Sequence, residues 1–272
     1  MAMFTSNGIP IYYETEGKGF PLIGIQGKDS NLDWWHPATR NALADKYRFI
    51  MLDNRGTGRS GHPAEEYGIA DMATDVVGLM DELQIEKTYV LGQSMGGMIA
   101  QEVALQNPDR VEKLVLVCTT PGVARAALSS QMLELISGKV VLSSPQDSLR
   151  LLFPEWFIRD NPALMEQLTK LMQRYPIDQR TASIHDVAYQ SFDSYDRLPA
   201  ISVPTLVIHG EADWIFTPAH AEILAQRIPD AQLLMVPDAG HGIFLQAHER
   251  IIERLARFLT VLPLVSANSF VF

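Results

Sequence analysis

Gly92-Gln93-Ser94-Met95-Gly96-Gly97 is the segment of this chain best suited to chemistry. It follows the apolar run at residues 88–91 and leads into Met98-Ile99-Ala100-Gln101-Glu102-Val103-Ala104, which reads as a helix. A serine on a tight strand-to-helix turn of the form G-x-S-x-G is lifted clear of the sheet, and the helix N-terminus favours negative charge beside it. A serine needs a base, and the base needs an acid to orient it and stabilise its cation. Of the seven histidines, His241 stands out, because Gly240 and Gly242 free its loop and an apolar run has just ended. His36, His62, His185, His209, His220 and His248 have ordinary readings as solvated or structural residues. Asp213, in Gly210-Glu211-Ala212-Asp213, is the preferred acid, since the chain there has just left another run and turned; Glu211 and Asp238 are its rivals.

Side chains so far apart in sequence need a scaffold that brings loop ends together. Short apolar runs recur at Pro21–Ile25, 47–52, 88–91, 114–117, 205–208 and Gln232–Val236. Nearly continuous apolar runs of this length read as strands buried on both faces, hence a mainly parallel sheet. Helical periodicity lies between them: Met72, Val76, Leu79, Met80 and Leu83 share one face, as do Ile251, Leu255, Phe258, Leu259 and Leu262. Strand alternating with helix implies right-handed βαβ units and a doubly wound α/β sheet. The alternation stops over residues 121–198, where helical stretches appear, such as the one opened by Asn161-Pro162, and no strand run does. The expected organisation is a core of residues 1–120 and 199–272 with a helical cap of residues 121–198 over the strand ends, where ligands of open α/β sheets bind.

Composition narrows the function. The net charge of −10 disfavours a nucleic-acid partner, which needs clustered cations. Cys118 is the single cysteine, so there is neither an intrachain disulfide nor a multi-thiolate zinc site, and its place late in a strand run reads as buried core. No run approaches the ~20 apolar residues of a membrane span, and residues 1–8 lack the basic and apolar regions of a secretory signal, so the expectation is a cytoplasmic protein. Gly56-Thr57-Gly58-Arg59-Ser60-Gly61 matches G-x-G-x-x-G, but His62-Pro63 follows where a dinucleotide site needs a helix. No H-E-x-x-H or H-x-H-x-D cluster is present, so no metal is expected.

With these residues in view, the chain resembles the α/β-hydrolase fold family, in its cap-bearing branch of esterases, enol-lactonases, cofactor-free haloperoxidases and carbon–carbon bond hydrolases. Four segments carry the resemblance: Asp53-Asn54-Arg55-Gly56-Thr57-Gly58-Arg59-Ser60, the Gly92–Gly97 elbow, Gly210-Glu211-Ala212-Asp213 and Gly240-His241-Gly242. The order Ser94, Asp213, His241 is that family's order. The resemblance implies a serine hydrolase with no cofactor, acting on a small-molecule carboxylic ester or lactone. The family usually has His-Gly after its third strand, where this chain has Gln26-Gly27-Lys28. By that correspondence the oxyanion donors are the backbone N–H groups of Lys28 and Met95. Trp34-Trp35 could wall an acyl pocket or pack beneath the loop, and Trp156 with Leu151-Leu152-Phe153 favours an apolar acyl group. The alternatives are a carbon–carbon bond hydrolase, for which Arg150, Arg159, Arg174 and Arg180 are available cations, a cofactor-free haloperoxidase or perhydrolase, and a non-catalytic receptor on the same fold.

Overall fold

The computed structural model describes residues 2–139 and 144–260. One eight-stranded sheet is built from β1 (Ala2–Ser6), β2 (Ile9–Glu16), β3 (Pro21–Ile25), β4 (Arg48–Leu52), β5 (Thr88–Gln93), β6 (Val111–Val117), β7 (Thr205–Gly210) and β8 (Gln232–Val236). Its spatial order is β1-β2-β4-β3-β5-β6-β7-β8. β1 and β2 pair antiparallel, as do β2 and β4; every other neighbouring pair is parallel. The helices are α1 (Pro37–Ala44), α2 (Ile69–Glu82), α3 (Met95–Gln106), α4 (Ser130–Ile136), α5 (Pro145–Leu152), α6 (Glu155–Asp160), α7 (Pro162–Arg174), α8 (Gln179–Ser191), α9 (Pro218–Arg227), α10 (Ile243–Gln246) and α11 (His248–Leu259).

The central apolar runs are strands because both their faces are covered, whereas β8 at the edge leaves Leu233 exposed. Ile23, Ile50, Val90, Leu114, Leu116 and Val207 belong to a core with α2, α3 and α9. Leu22, Phe49, Leu91, Val115, Val117 and Ile208 belong to a second core with α1 and α11. Successive residues thus alternate between cores, as the two-residue period of a strand requires. The antiparallel hairpin of β1 and β2 at one edge is absent from the list of apolar runs.

Between β6 and β7 the chain forms α4 to α8 and, among the described residues, no strand. This helical insert has its own small apolar cluster of Leu149, Phe153, Phe157, Met165 and Leu168. Pro162 opens the first turn of α7 as the sequence pattern predicts, while Asn161 stands at the N-cap position without a side-chain capping bond, its side-chain amide donating back to Phe157 O. Leu262 and the 267–272 tail lie outside the described residues.

The Gly56–Gly61 segment is a turn and not a phosphate cradle, since the next helix begins only at Ile69. Asp53 is its hub. One carboxylate oxygen accepts Leu32 N at 2.7 Å and the other accepts Arg59 N at 2.8 Å. The Asn54 side-chain amide donates to Gln26 O at 3.0 Å. The turn after β4 therefore fixes both ends of the loop that follows β3.

Candidate active site

All the sequence-selected polar residues lie just past the carboxyl ends of neighbouring parallel strands. In register, Gln93 of β5 stands beside Val117 of β6, Val117 beside Ile208 of β7, and Gly210 beside Val236 of β8. Ser94 leaves β5 one residue later, and its N–H donates to Val117 O at 2.9 Å. Its φ of 57° and ψ of −125° form a backbone conformation that non-glycine residues rarely adopt. Tight packing holds it. A Cβ on Gly96 would stand 2.2 Å from Ile25 O, so the first turn of α3 presses on the end of β3. A Cβ on Gly27 would stand 2.8 Å from Ser94 Cβ and 3.2 Å from its Oγ. The loop after β3 thus runs directly against the serine.

His241 Nδ1 donates to Asp213 Oδ2 at 2.8 Å. The other oxygen, Oδ1, accepts Ile215 N at 2.9 Å and Phe216 N at 3.2 Å. Asp213 is buried, whereas its rivals Glu211 and Asp238 are exposed and make no bond to His241. Burial alone would raise the Asp213 pKa, but the charge and hydrogen bond of His241 outweigh it, and the carboxyl is held below its ordinary value. Asp213 is therefore ionised at neutral pH. Donation from Nδ1 leaves Nε2 of a neutral His241 as the free acceptor.

The other six histidines have structural partners. His36 Nδ1 accepts Ala38 N as the N-cap of α1, and His62 pairs with Asp178 at 2.9 Å. His185 Nε2 lies 3.4 Å from Arg55 O, His209 Nε2 donates to Phe216 O at 2.8 Å, His220 Nδ1 meets Thr120 Oγ1 at 2.7 Å, and His248 meets Thr39 at 3.3 Å. Burial lowers the pKa of His209, and burial with the nearby His209 lowers that of His220 to about 4.

The loop after β3 carries Lys28. Among the described residues neither its N–H nor that of Met95, the first residue of α3, has a protein acceptor. The Lys28 ammonium pairs with Asp29 at 2.6 Å and with Asp186 of α8 at 3.0 Å. Its side chain therefore ties the loop to the insert.

The two neighbouring tryptophans separate. Trp35 is buried in the second core, edge-on to Phe49 and Phe244, while Trp34 packs against the apolar cluster of the insert beside Leu152 and Leu245. Trp156 is 42% exposed and touches Phe157; no described contact joins it to Ser94, Asp213 or His241. A polar cavity of about 140 Å³, lined by Asp29, Asn31, His62, Arg174 and Tyr175 among others, borders the Lys28 loop but includes neither Ser94 nor His241.

Three contacts had no signal in the sequence. Gln93, the variable residue before the serine, donates its side-chain amide to His241 O at 3.1 Å. Cys118 leaves β6 at φ 45°, and its sulfur lies within 4.8 Å of both the Asp213 carboxylate and the His241 ring. Burial and the Asp213 charge hold its thiol well above its usual pKa, so it stays protonated and unreactive. Leu152 O accepts Gly242 N at 2.7 Å, which ties the His241 loop to the insert.

The family model described as alpha/beta hydrolase fold matches residues 19–247. The chain belongs to the α/β-hydrolase family. It is 31% identical over 253 residues to a protein of Azorhizobium caulinodans provisionally named carbamate hydrolase RutD, covering 91% of this chain and 94% of that one. It is 33% identical over 263 residues to a protein of Mycobacterium tuberculosis provisionally named non-heme bromoperoxidase BpoC, covering 92% and 97%. The crystal structure of the enol-lactonase from Burkholderia xenovorans LB400 superposes with a TM-score of 0.84 at 25% identity, over 96% of this chain and all of that one. Hydrolases of this family process small molecules, and among the described residues no helix is long and apolar enough to cross a membrane.

Proposed function

We propose that this α/β hydrolase cleaves a carboxylic ester or lactone with an apolar acyl group through a covalent acyl-enzyme on Ser94. The observation that carries the reading is the buried 2.8 Å bond between His241 and Asp213, with the Gln93 side chain joining the His241 loop to the turn that holds the serine at φ 57°. Ser94 Oγ attacks the carbonyl carbon while His241 Nε2 takes its proton. Ionised Asp213 holds the ring and stabilises its cation. The carbonyl oxygen becomes an oxyanion bound by the N–H groups of Lys28 and Met95, which have no protein acceptor to lose. His241 returns the proton to the leaving oxygen, and the alcohol departs. A water, deprotonated by His241, then releases the acid and restores Ser94.

The helical insert acts as the cap that shapes the acyl site, with Trp34, Leu152 and Phe153 as its apolar wall. The enol-lactonase likeness supports an oxygen ester as the scissile bond. Three of the four insert arginines have partners elsewhere and give the carbon–carbon reading little support. Arg159 pairs with Asp160, Arg174 approaches Asp33, and Arg180 bonds Ala64 O. The 33% identity to a bromoperoxidase favours a second reading on the same machinery: hydrogen peroxide replaces water, attacks the acyl-enzyme and leaves as a peracid.

The test is turnover of p-nitrophenyl esters of several acyl lengths, with and without peroxide, beside labelling by a fluorophosphonate. Ser94 should be the labelled residue. Ser94→Ala should abolish turnover, a loss of up to about 10⁶ in kcat by analogy with a studied serine protease. Near-normal turnover by folded Ser94→Ala would end this reading.

A further inference from the structure

The N–H groups assigned to the oxyanion belong to the peptide units Gly27–Lys28 and Ser94–Met95. A peptide unit is planar, and in the usual trans form its C=O and N–H point in opposite directions. Whatever grips the carbonyl therefore aims the N–H. In the first unit, Gly27 O accepts Ser30 Oγ at 3.1 Å and Ser30 N at 3.4 Å. In the second, Ser94 O accepts Thr119 Oγ1 at 2.7 Å and Gly97 N at 2.9 Å. Each assigned donor thus has a side-chain hydroxyl on the far end of its own peptide.

We propose that Ser30 and Thr119 are positioning residues for the oxyanion hole, each fixing the plane of one donor peptide and polarising its N–H. The inference rests on Ser94 being the nucleophile and on those two amides being the donors. As negative charge grows on the substrate oxygen, it polarises the N–H it accepts from, amide resonance shifts electron density onto the carbonyl, and that carbonyl oxygen becomes more negative. The hydroxyl bond behind it strengthens at the same moment. Linked hydrogen bonds reinforce one another by about 10–30% per bond. An interaction that strengthens only in the transition state raises kcat and leaves KM in place.

The packing around Thr119 points the same way. Thr119 is buried two residues past β6. A Cβ on Gly97 would stand 2.6 Å from Thr119 Cβ, Cγ2 and Oγ1 alike. The bare backbone at Gly97 is what lets the hydroxyl reach Ser94 O. Ser30 is tied less tightly, since its one hydroxyl proton is shared between Gly27 O and Lys28 O, both at 3.1 Å.

The variants Thr119→Val and Ser30→Ala remove each hydroxyl, and Thr119→Ser and Ser30→Thr keep it. Three quantities are read: kcat and KM on p-nitrophenyl butyrate, the rate constant for fluorophosphonate labelling of Ser94, and Tm. Loss of a whole donor costs about 10²–10³, so a loosened donor should cost about 3–10-fold in kcat. The double variant should lose more than either single one, and its departure from the product of the two losses reads the coupling of peptides that adjoin and serve one oxyanion. KM and the pH midpoint of kcat should not move, labelling should slow in parallel with kcat, and both hydroxyl-keeping variants should recover. Unchanged kcat and labelling in folded Ser30→Ala and Thr119→Val would overturn the inference, as would a Thr119→Ser enzyme as slow as Thr119→Val. If Thr119→Val does not fold, Ser30→Ala and its threonine rescue decide the outcome. A wild-type protein that resists the phosphonate sinks the serine reading itself, and this inference with it. A labelled wild type with unaffected variants sinks this inference alone.

Discussion

The sheet and the helical insert meet the reacting residues in different ways. From the sheet side, Ser94 and Asp213 follow the buried strands β5 and β7, His241 follows the half-exposed edge strand β8, and two apolar cores pack on the sheet. From the insert side, polar bonds touch the loops that follow the strands. Thr217 Oγ1 donates to Ala127 O at 3.1 Å, Ser129 Oγ to Trp214 O at 2.5 Å, and Trp214 Nε1 to Arg150 O at 3.2 Å. Gly242 N reaches Leu152 O, and Lys28 reaches Asp186. A shift in the sheet would move the reacting groups through a packed interior, which deforms little. A shift in the insert would reach them through these loop bonds, one of which lies at Gly242, next to His241 in sequence. On the proposed function, the reaction type belongs to the sheet and substrate choice to the insert, and this division can be tested from both sides.

The largest effect after loss of the serine belongs to the acid. Asp213→Asn should cut kcat by about 10³–10⁴, because an amide neither stabilises the imidazolium nor holds the right tautomer. Glu211→Gln and Asp238→Asn, both exposed, should stay within about two-fold of the parent, as surface changes away from a site usually do. A severe Glu211 or Asp238 variant beside a mild Asp213→Asn would break the assignment.

Next comes the loop that both regions share. Lys28→Pro removes the N–H and should cost about 10²–10³ in kcat with KM nearly unchanged. Lys28→Ala keeps the N–H and loses only the half-exposed pairs to Asp29 and Asp186, so it should lose no more than about five-fold, in line with the ≲1 kcal/mol of exposed ion pairs. Asp186→Asn should match Lys28→Ala, and the double variant should be no worse than either. A Lys28→Ala enzyme as impaired as Lys28→Pro would mean that the ammonium itself acts on an anionic substrate.

How far these contrasts could be read in the sequence follows from where the information lies. The central strands were legible because residues such as Leu22 and Ile23 are both buried, one in each core, which leaves an unbroken apolar run. The edge hairpin was not, since β1 alternates buried and exposed positions over only five residues. Its one strong mark was Asn7-Gly8, with φ of 47° and 82°, the dipeptide of a tight primed turn. Ser94 and His241 were legible because their local glycine patterns demand special turns. Asp213 competed with two carboxylates until burial separated them. Gln93, Thr119 and Cys118 touch atoms brought near only by folding, so nothing local distinguishes them, and Ser30 bonds carbonyls two and three residues before it, as a serine in any loop turn can. Trp34 and Trp35 show the same limit: adjacent and identical, they end in different cores.

Smaller effects should come from the insert. Phe153→Ala and Trp34→Ala should shift the preferred acyl length of p-nitrophenyl esters by several-fold in relative kcat/KM, because one methylene in an apolar pocket is worth about 1–3 kcal/mol. Trp156→Ala, at an exposed position, should shift it less. An unchanged profile in all three would remove the insert from substrate choice.

The smallest effect concerns stability. His209 and His220 are buried with pKa values held below those of the unfolded chain, His220 at about 4. Between about pH 6.5 and 4 the unfolded chain binds protons that the folded one refuses, so stability is full above that window and falls as pH drops through it. Tm should decline across the window, and His220→Gln should flatten the decline. A Tm independent of pH there would show that neither histidine resists protonation.

The contacts across the seam have a further consequence. Ala127, Arg150 and Leu152 meet the loops of Asp213 and His241 through their carbonyl oxygens. A carbonyl is the same acceptor whichever side chain its residue carries. These three attachments therefore persist whichever side chains stand at those positions, unlike the bonds made by the Ser129 and Asp186 side chains. On the proposed function, substitution at such positions is a route to new substrates that leaves Ser94, Asp213 and His241 in place.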